Sequence, residues 1–321
     1  MGGIVLLLLI MLIASVIALA VAFSSGGGAD SGPTVYEEEY VSGTGADRVA
    51  VIPVQGVIAA GDPALGGVQP TVTPEGLADA LGQAEDDASV VAVVLEVNSP
   101  GGGVTASDEM HQSIVDFQDR TDKPVVVSMG DTAASGGYYI SAPADAIVAN
   151  KTTFTGSLGA IITLTNVSGL AEDYGVEQEV IKSGEFKGMG SSFRELTPQE
   201  REILQSIVDE SYAEFVDVIS QGRDIPEDRV RKIADGRIYS GEQARELGLV
   251  DEFGGLDEAA RLARERARVD RATVIRYVQT PGLFDTVTAR LAPREPEAIQ
   301  VLRAIGLDPT PKVQYLYRPG V

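Results

Sequence analysis

The chain has 321 residues, with 47 acidic against 25 basic side chains, one histidine and no cysteine, for a formal net charge of −22. That length allows one large domain or two small ones with a substantial core. Without cysteine there are no disulfides, no thiol catalysis and no cysteine-held metal, and one histidine rules out a histidine cluster. A chain this acidic repels phosphates, which argues against a nucleic-acid partner.

No Asp-rich calcium loop is present, so neither a metal nor a cofactor is expected. The basic residues are 19 arginines and six lysines. An acidic surface poor in lysine is the pattern of halophilic proteins; the alternative is an acidic surface in ordinary salt.

In chain order, the first element is "IVLLLLIMLIASVIALAVAF", residues 4 to 23, an uncharged run of 20. It is long enough to cross roughly 30 Å of hydrocarbon as a helix. A cleaved signal peptide is the rival, with "ALA" at 18–20 offering small residues. The run, however, exceeds the usual ~7–15 residues of such a segment, and no Lys or Arg precedes it. Residues 1–25 are therefore expected to be an uncleaved transmembrane anchor. Its orientation is open, because the first basic residue is Arg48. Residues 26–47 are Gly/Ser-rich and then acidic, the composition of a flexible linker.

From residue 48 to 270 the texture is that of a folded domain. "VAVIPVQGVI" (49–58), "SVVAVVLEV" (89–97), "PVVVSM" (124–129) and "EQEVIKSG" (177–184) are expected strands, and their nearly continuous hydrophobicity suits strands buried on both faces. Residues 74–86, 104–119 and 136–143 carry helical spacing. "TPQE" at 197–200 supplies a capping threonine, a proline at the first helical position and a glutamate at the third. The helix it opens has an apolar face through Ile203, Leu204, Ile207, Val208, Phe215 and Val216. Strand alternating with helix predicts an α/β domain with parallel strands. Residues 271–321, with a strand-like "TVIRYV" and a proline-rich end, are placed as a C-terminal extension.

Three segments could carry chemistry, each just after an expected strand. "NSPGGGVTASDEM" (98–110) places three glycines between strand and helix, where bare amides could stabilise an oxyanion; a plain connection is the other reading. "GDTAASGGYYISAPAD" (130–145) sets Ser135 at a helix start, near the positive end of the helix dipole, either as nucleophile or as a simple cap.

A nucleophilic serine needs a base. His111 precedes the serine and reads as an ordinary helix residue, but a lysine can perform the same proton transfer. Downstream lie Lys151, Lys182, Lys187, Lys232 and Lys312. Lys187 sits in the Gly/Ser-rich "SGEFKGMGSS". Lys232 and Lys312 read as solvating charges, and Lys151 and Lys182 stay open.

Taken together these segments, with "DGRIYSGEQARELGLVDEFGGLDEA" near 235–259, resemble the signal peptide peptidase A family, Ser–Lys proteases of the Clp protease/crotonase superfamily, over roughly residues 49–280. The resemblance implies a repeated ββα spiral fold and a membrane-anchored serine endopeptidase. Its substrates would be hydrophobic peptides such as released signal peptides. It further implies a single-pass protein of the cell membrane with its catalytic domain outside the cytoplasm, assembled as a homo-oligomeric ring or dome. On the family pattern the serine of "SGGYY" is the nucleophile, Ser135, and the lysine of "SGxxK…GS" is the general base, Lys187. Gly102 and Gly136 match the oxyanion-hole donors, and Ser157 of "TGSLG" the serine that orients the lysine. Lys151 departs from the pattern, standing where relatives often carry proline.

A lysine acts as a base only when desolvation lowers its pKa by several units. Lys187 is therefore expected to be buried, with no carboxylate in reach and Glu185 turned away. Serine and lysine could come from one subunit or from neighbours. A crotonase-type acyl-CoA enzyme and a non-catalytic membrane scaffold are the alternative functions.

Overall fold

Alternation along two central strands divides the core into two layers. In β2 (Arg48–Gln55), Val49 and Val51 face one way and Ala50, Ile52 and Val54 the other. In β5 (Val90–Ser99), Ala92 and Val94 oppose Val93, Leu95 and Val97 in the same manner. Strands apolar on both faces belong in the middle of a sheet covered by helices on each side, and that is the arrangement seen. The computed structural model describes residues 34–60, 71–279 and 313–316.

The elements run in order from β1 (Glu37–Gly43) through β2, β3 (Val57–Ile58) and β4 (Thr71–Val72) to α1 (Pro74–Asp86). After β5 come β6 (Gly101–Gly103), α2 (Val104–Thr121), β7 (Val125–Ala134), α3 (Gly136–Tyr139), β8 (Ala146–Ala149), β9 (Phe154–Gly156), β10 (Ile161–Ile162) and α4 (Ser168–Asp173). The rest are α5 (Pro198–Arg223), α6 (Glu227–Ile233), β11 (Ile238–Ser240), α7 (Gly241–Leu247), β12 (Glu252–Phe253), α8 (Leu256–Ala267), β13 (Thr273–Val278) and β14 (Val313–Leu316).

The main sheet has the order β1-β13-β2-β5-β7-β8-β12. Along this path it is parallel except for β1 on β13, while β9 branches off β7 in parallel and pairs antiparallel with β11. Helices α1 and α2 pack on one face, and α8 covers the other with Ala259, Ala260, Leu262 and Ala263. A second sheet, β10-β14-β6-β3-β4, stands at the carboxyl ends of the central strands. The mixed α/β domain expected from the sequence is therefore present.

Local signals explain several boundaries. Thr73 caps α1 by accepting from Gly76 N, with Pro74 as the first helical residue. α5 opens on the expected capping box, in which Thr197 Oγ1 accepts from Glu200 N at 3.2 Å and the Glu200 carboxylate accepts from Thr197 N at 3.0 Å.

Other expectations need correction. Residues 177–184 form no strand; they are irregular and exposed, because their apolar residues meet no partner element among the described residues. The helix over 136–143 closes at Tyr139 and continues as turns. Glu37–Gly43, within the expected linker, is an edge strand, and Thr273–Val278, within the expected extension, is an interior one. The apolar face of α5 is buried at Phe215 and Val216 but not at Ile203, Leu204, Ile207 or Val208. The apolar run 4–23 lies outside the described residues, and no described helix is long and apolar enough to cross a membrane.

Candidate active site

The site begins where β7 changes partner. Val126–Met129 run beside β8, but after Gly130 the strand turns to β9, with Ala134 opposite Gly156. Two buried hydroxyls hold the switch: Thr153 Oγ1 donates to Gly130 O at 2.8 Å, and Thr155 Oγ1 to Ala133 O at 2.6 Å.

The strand delivers Ser135, which takes φ 55° and ψ −118° and is followed at once by α3. Residues with a side chain seldom adopt that conformation, and it persists only where the surroundings enforce it. Here Ser135 N donates to Gly156 O at 2.8 Å, while Ser135 O accepts from Tyr138 N and Tyr139 N at 2.9 Å each. Ser135 is 1% exposed, its hydroxyl makes no helix cap, and it has no hydrogen-bond partner among the described residues. Leaving a buried hydroxyl unpaired costs about 1–3 kcal/mol. A capping serine would not incur that cost, so the simple cap reading does not hold.

Opposite the serine passes the glycine strand β6. Ser99 Oγ, at the end of β5, accepts from Gly101 N at 3.1 Å and turns the chain into it. A Cβ on Gly101 would stand 2.5 Å from Gly136 N, and one on Gly136 would stand 3.1 Å from Gly102 N. A Cβ on Gly102 would stand 1.7 Å from Ile58 O. These contacts admit only glycine. They gather the amide groups of Gly102 and Gly136 into one small space beside Ser135, the kind of donor cluster that stabilises developing negative charge on oxygen.

Ser157 follows β9 directly and also has a positive φ, 51°, with its N donating to Arg237 O at 2.7 Å. Because Ala134 and Gly156 are paired, the two serines leave neighbouring strand ends.

Lys187 is different. It is exposed, in the irregular stretch between α4 and α5, and among the described residues its amine makes no hydrogen bond or ion pair. No described carboxylate pairs with it, as expected, but the expected burial is not supplied by the described residues. Its loop is held by Arg194 on one side and by Val167 N donating to Ser192 O at 2.7 Å on the other. Arg194 Nη2 donates to Gly188 O at 2.8 Å and pairs with the Glu200 carboxylate at 2.5 Å. That guanidinium, with the Thr197 amide, holds the Glu200 carboxyl down at about 2.

The rival lysines are occupied elsewhere. Lys151 pairs with Glu242 at 3.6 Å and lies over the Phe253 ring, and Lys182 donates to Glu185 O at 2.5 Å. Lys232 is an exposed residue of α6, and Lys312 lies outside the described residues. His111 packs edge-on against Tyr139, with ring centroids 5.3 Å apart, and burial pushes its pKa below the ordinary histidine value.

Two features escaped the sequence reading. Ser107, on the buried stripe of α2, has a fully buried hydroxyl without a partner among the described residues, and that oxygen is 2.5 Å from where a Gly136 Cβ would be. A serine on an otherwise apolar helix stripe was the available signal. The second is β14, a tail strand seated antiparallel between β6 and β10. The short alternation in "VQYLY" is too weak a cue to place it.

The model of peptidase family S49 matches residues 118–270, which include Ser135, Ser157 and Lys187. The chain is 37% identical over 253 residues to a protein of Enterococcus faecium assigned as signal peptide peptidase SppA, covering 74% of this chain and 71% of that one. It is 34% identical over 258 residues to Protease 4 of Salmonella typhi, covering 79% of this chain but only 41% of that longer protein. A third relative is the chloroplastic serine protease SPPA of Arabidopsis thaliana, 33% identical over 226 residues, covering 70% of this chain and 33% of that protein. The strained serine, the glycine strand facing it and these relatives agree: the chain belongs to peptidase family S49 and is a serine protease acting on peptides.

Proposed function

We propose that the chain is a membrane-anchored Ser/Lys-dyad endopeptidase that cuts hydrophobic peptides, released signal peptides among them. Ser135 is the nucleophile and Lys187 the base. The observation that carries this reading is the Ser135 hydroxyl, buried and unpartnered beside the Gly102 and Gly136 amides.

In the reaction, neutral Lys187 takes the Ser135 proton as Oγ attacks the peptide carbonyl, and the two glycine amides hold the oxyanion. The protonated lysine then gives its proton to the leaving amine. Water, deprotonated by the same amine, cleaves the acyl-enzyme to a carboxylate and frees Ser135. Ser157, at the neighbouring strand end, orients the amine.

An ammonium in water keeps its proton at neutral pH, so Lys187 must be covered when it works. In this reading the cover, and the serine it serves, come from a neighbouring copy. Around Lys187 the segment 161–193 exposes large apolar residues, Tyr174 at 79% and Ile181 at 94%. The apolar run 4–23 anchors the assembly in the membrane, and the acidic surface suits molar salt.

Hydrolysis of a fluorogenic hydrophobic peptide tests the reading in moderate and molar salt. Ser135→Ala and Lys187→Met should each lose at least three orders of magnitude in kcat. Mixing the two inactive variants before assembly should restore a measurable fraction if the pair forms between copies. Full activity of Lys187→Met would end the proposal, and coenzyme A binding in place of peptide turnover would favour the acyl-CoA alternative.

A further inference from the structure

Buried hydroxyls in this fold usually find an acceptor. Thr153 and Thr155 donate to strand carbonyls, and Ser141 Oγ, just after α3, donates to Gly137 O at 2.6 Å. Among the described residues three buried hydroxyls have no partner: Ser135, Ser107 and Tyr277. Tyr277 is on β13, stacked on Tyr36, with two strands between it and β7. The other two converge on Gly136. Ser135 precedes that glycine in the chain, and Ser107 Oγ lies 2.5 Å from the point where its Cβ would be. Gly102 N lies 3.1 Å from the same point. From α2, Ser107 therefore faces both glycines of the amide cluster.

Nothing in the packing asks for a hydroxyl there. Ser107 is 0% exposed and shares its helix stripe with Ala106, Met110, Ile114 and Phe117. Alanine would fit the space, spare the burial of an unpaired polar group and favour the helix. An unsatisfied buried group set against a reacting centre points to a use in the reaction. Rotation about the Cβ–Oγ bond lets the hydrogen follow a charge, and in the low dielectric of an interior such a dipole acts strongly.

We propose that Ser107 is a positioning residue of the oxyanion site. Its hydroxyl is uncommitted in the resting chain, and it turns its hydrogen towards the negative charge that grows at the Gly102 and Gly136 amides, without touching the substrate. As the bond from Ser135 Oγ to the carbonyl carbon forms, the carbonyl π pair moves on to oxygen and the serine proton passes to Lys187. Ser107 neither gains nor loses a proton. This rests on the Ser135 peptidase reading and adds a residue to it.

The test compares the full-length chain with Ser107→Ala and Ser107→Cys, the thiol being a weaker donor. The readouts are kcat and KM for a fluorogenic peptide, Tm, and inhibition by a peptide aldehyde, which adds Ser135 Oγ to its carbonyl carbon and leaves a tetrahedral oxyanion at the amides. Ser107→Ala should lower kcat about tenfold, less than the 10²–10³ of a direct donor, with KM nearly unchanged. Aldehyde binding should weaken by a similar factor. Adding Ser107→Ala to the Ser135→Ala chain should leave its affinity for uncleaved peptide as it was. Tm should rise by a few degrees, because the unpaired hydroxyl is gone. Ser107→Cys should lie between wild type and Ser107→Ala in kcat.

Wild-type kcat and aldehyde affinity in Ser107→Ala overturn the proposal. So does a lower Tm with kcat and KM impaired together, the mark of a structural role. If Ser107→Ala does not fold, Ser107→Cys decides: a joint loss of kcat and aldehyde affinity at constant KM supports the assignment, and wild-type values overturn it. A working enzyme indifferent to Ser107→Ala sinks this inference alone. An unaltered chain that neither cuts peptide nor binds the aldehyde sinks the peptidase reading, and this inference with it.

Discussion

Gly136→Ala measures how tightly the glycine strand and the serine elbow are fitted together. The new methyl would stand 2.5 Å from Ser107 Oγ and 3.1 Å from both Gly101 Cα and Gly102 N. Ordinary carbon contacts are about 3.5–4.0 Å, so Ser107 must shift by about 1 Å and the glycine strand by roughly half that. Overpacking of this size costs about 1–3 kcal/mol, which in a large domain lowers Tm by about 2–4 °C per kcal/mol. The larger effect is on catalysis. Displacing one oxyanion donor costs about 10²–10³ in kcat.

Ser107→Gly deletes the shortest of the three contacts but leaves the two backbone ones. The double variant should regain part of the Tm and of kcat, with a coupling of about 0.5–3 kcal/mol. Gly102→Ala, 1.7 Å from Ile58 O, has no side chain to remove and should not be rescued this way. Thermal melts and peptide kinetics on the four chains of the cycle check this. Wild-type kcat/KM in Gly136→Ala, or strict additivity in the double variant, would refute the close approach.

Glu200→Gln should loosen the Lys187 loop by weakening the Arg194 clamp, lowering kcat more than KM changes. The Glu200 carboxyl is lowered from its usual range to about 2, so its stabilising effect is complete above the unfolded value near 4.5 and fades as pH falls towards 2. Melts of wild type and variant should accordingly differ at pH 6 and converge near pH 2. For His111 burial favours the neutral ring. The unfolded chain then binds more protons once pH falls below the ordinary value near 6.5, and stability declines with acidification. His111→Phe should flatten Tm between pH 7.5 and 5, and an unchanged slope would remove His111 as its source.

The parts of the molecule legible in the sequence are those decided by neighbours along the chain. Strands β2, β5 and β7 announce themselves because burial on both faces demands continuous β-branched residues. Helix α5 begins where Thr197, Pro198 and Glu200 say it should, because a cap is settled within four residues. The elbow at Ser135 and the glycine strand were visible as motifs, but their closeness was not, since it depends on β7 leaving β8 for β9 at Gly130. Tyr315 was out of reach for the same reason. Its pocket is assembled from α3, α5 and the glycine strand, which no local pattern connects.

The failed strand at 177–184 bears on the mechanism as well. Its apolar residues suggested burial, and an apolar pattern reports that a surface is to be covered without saying by what. Among the described residues nothing covers Val176, Val180 or Ile181, and the same holds for Leu170, Tyr174 and Phe186 around them. Isolated exposed apolar residues need no explanation, but a run of them does. The outer half of α5 adds Ile207. A stable contact between copies takes about 800 Å² from each partner, and a segment of some thirty residues rich in Leu, Ile, Val, Tyr and Phe can supply an area of that order. Lys187 sits within this segment. If Lys187 is the base, as proposed, whatever buries these side chains would also remove water from its amine, and assembly and activation would then be one event. On that argument dilution should cost activity more steeply than stability, and Lys187→Met should leave assembly intact while abolishing turnover.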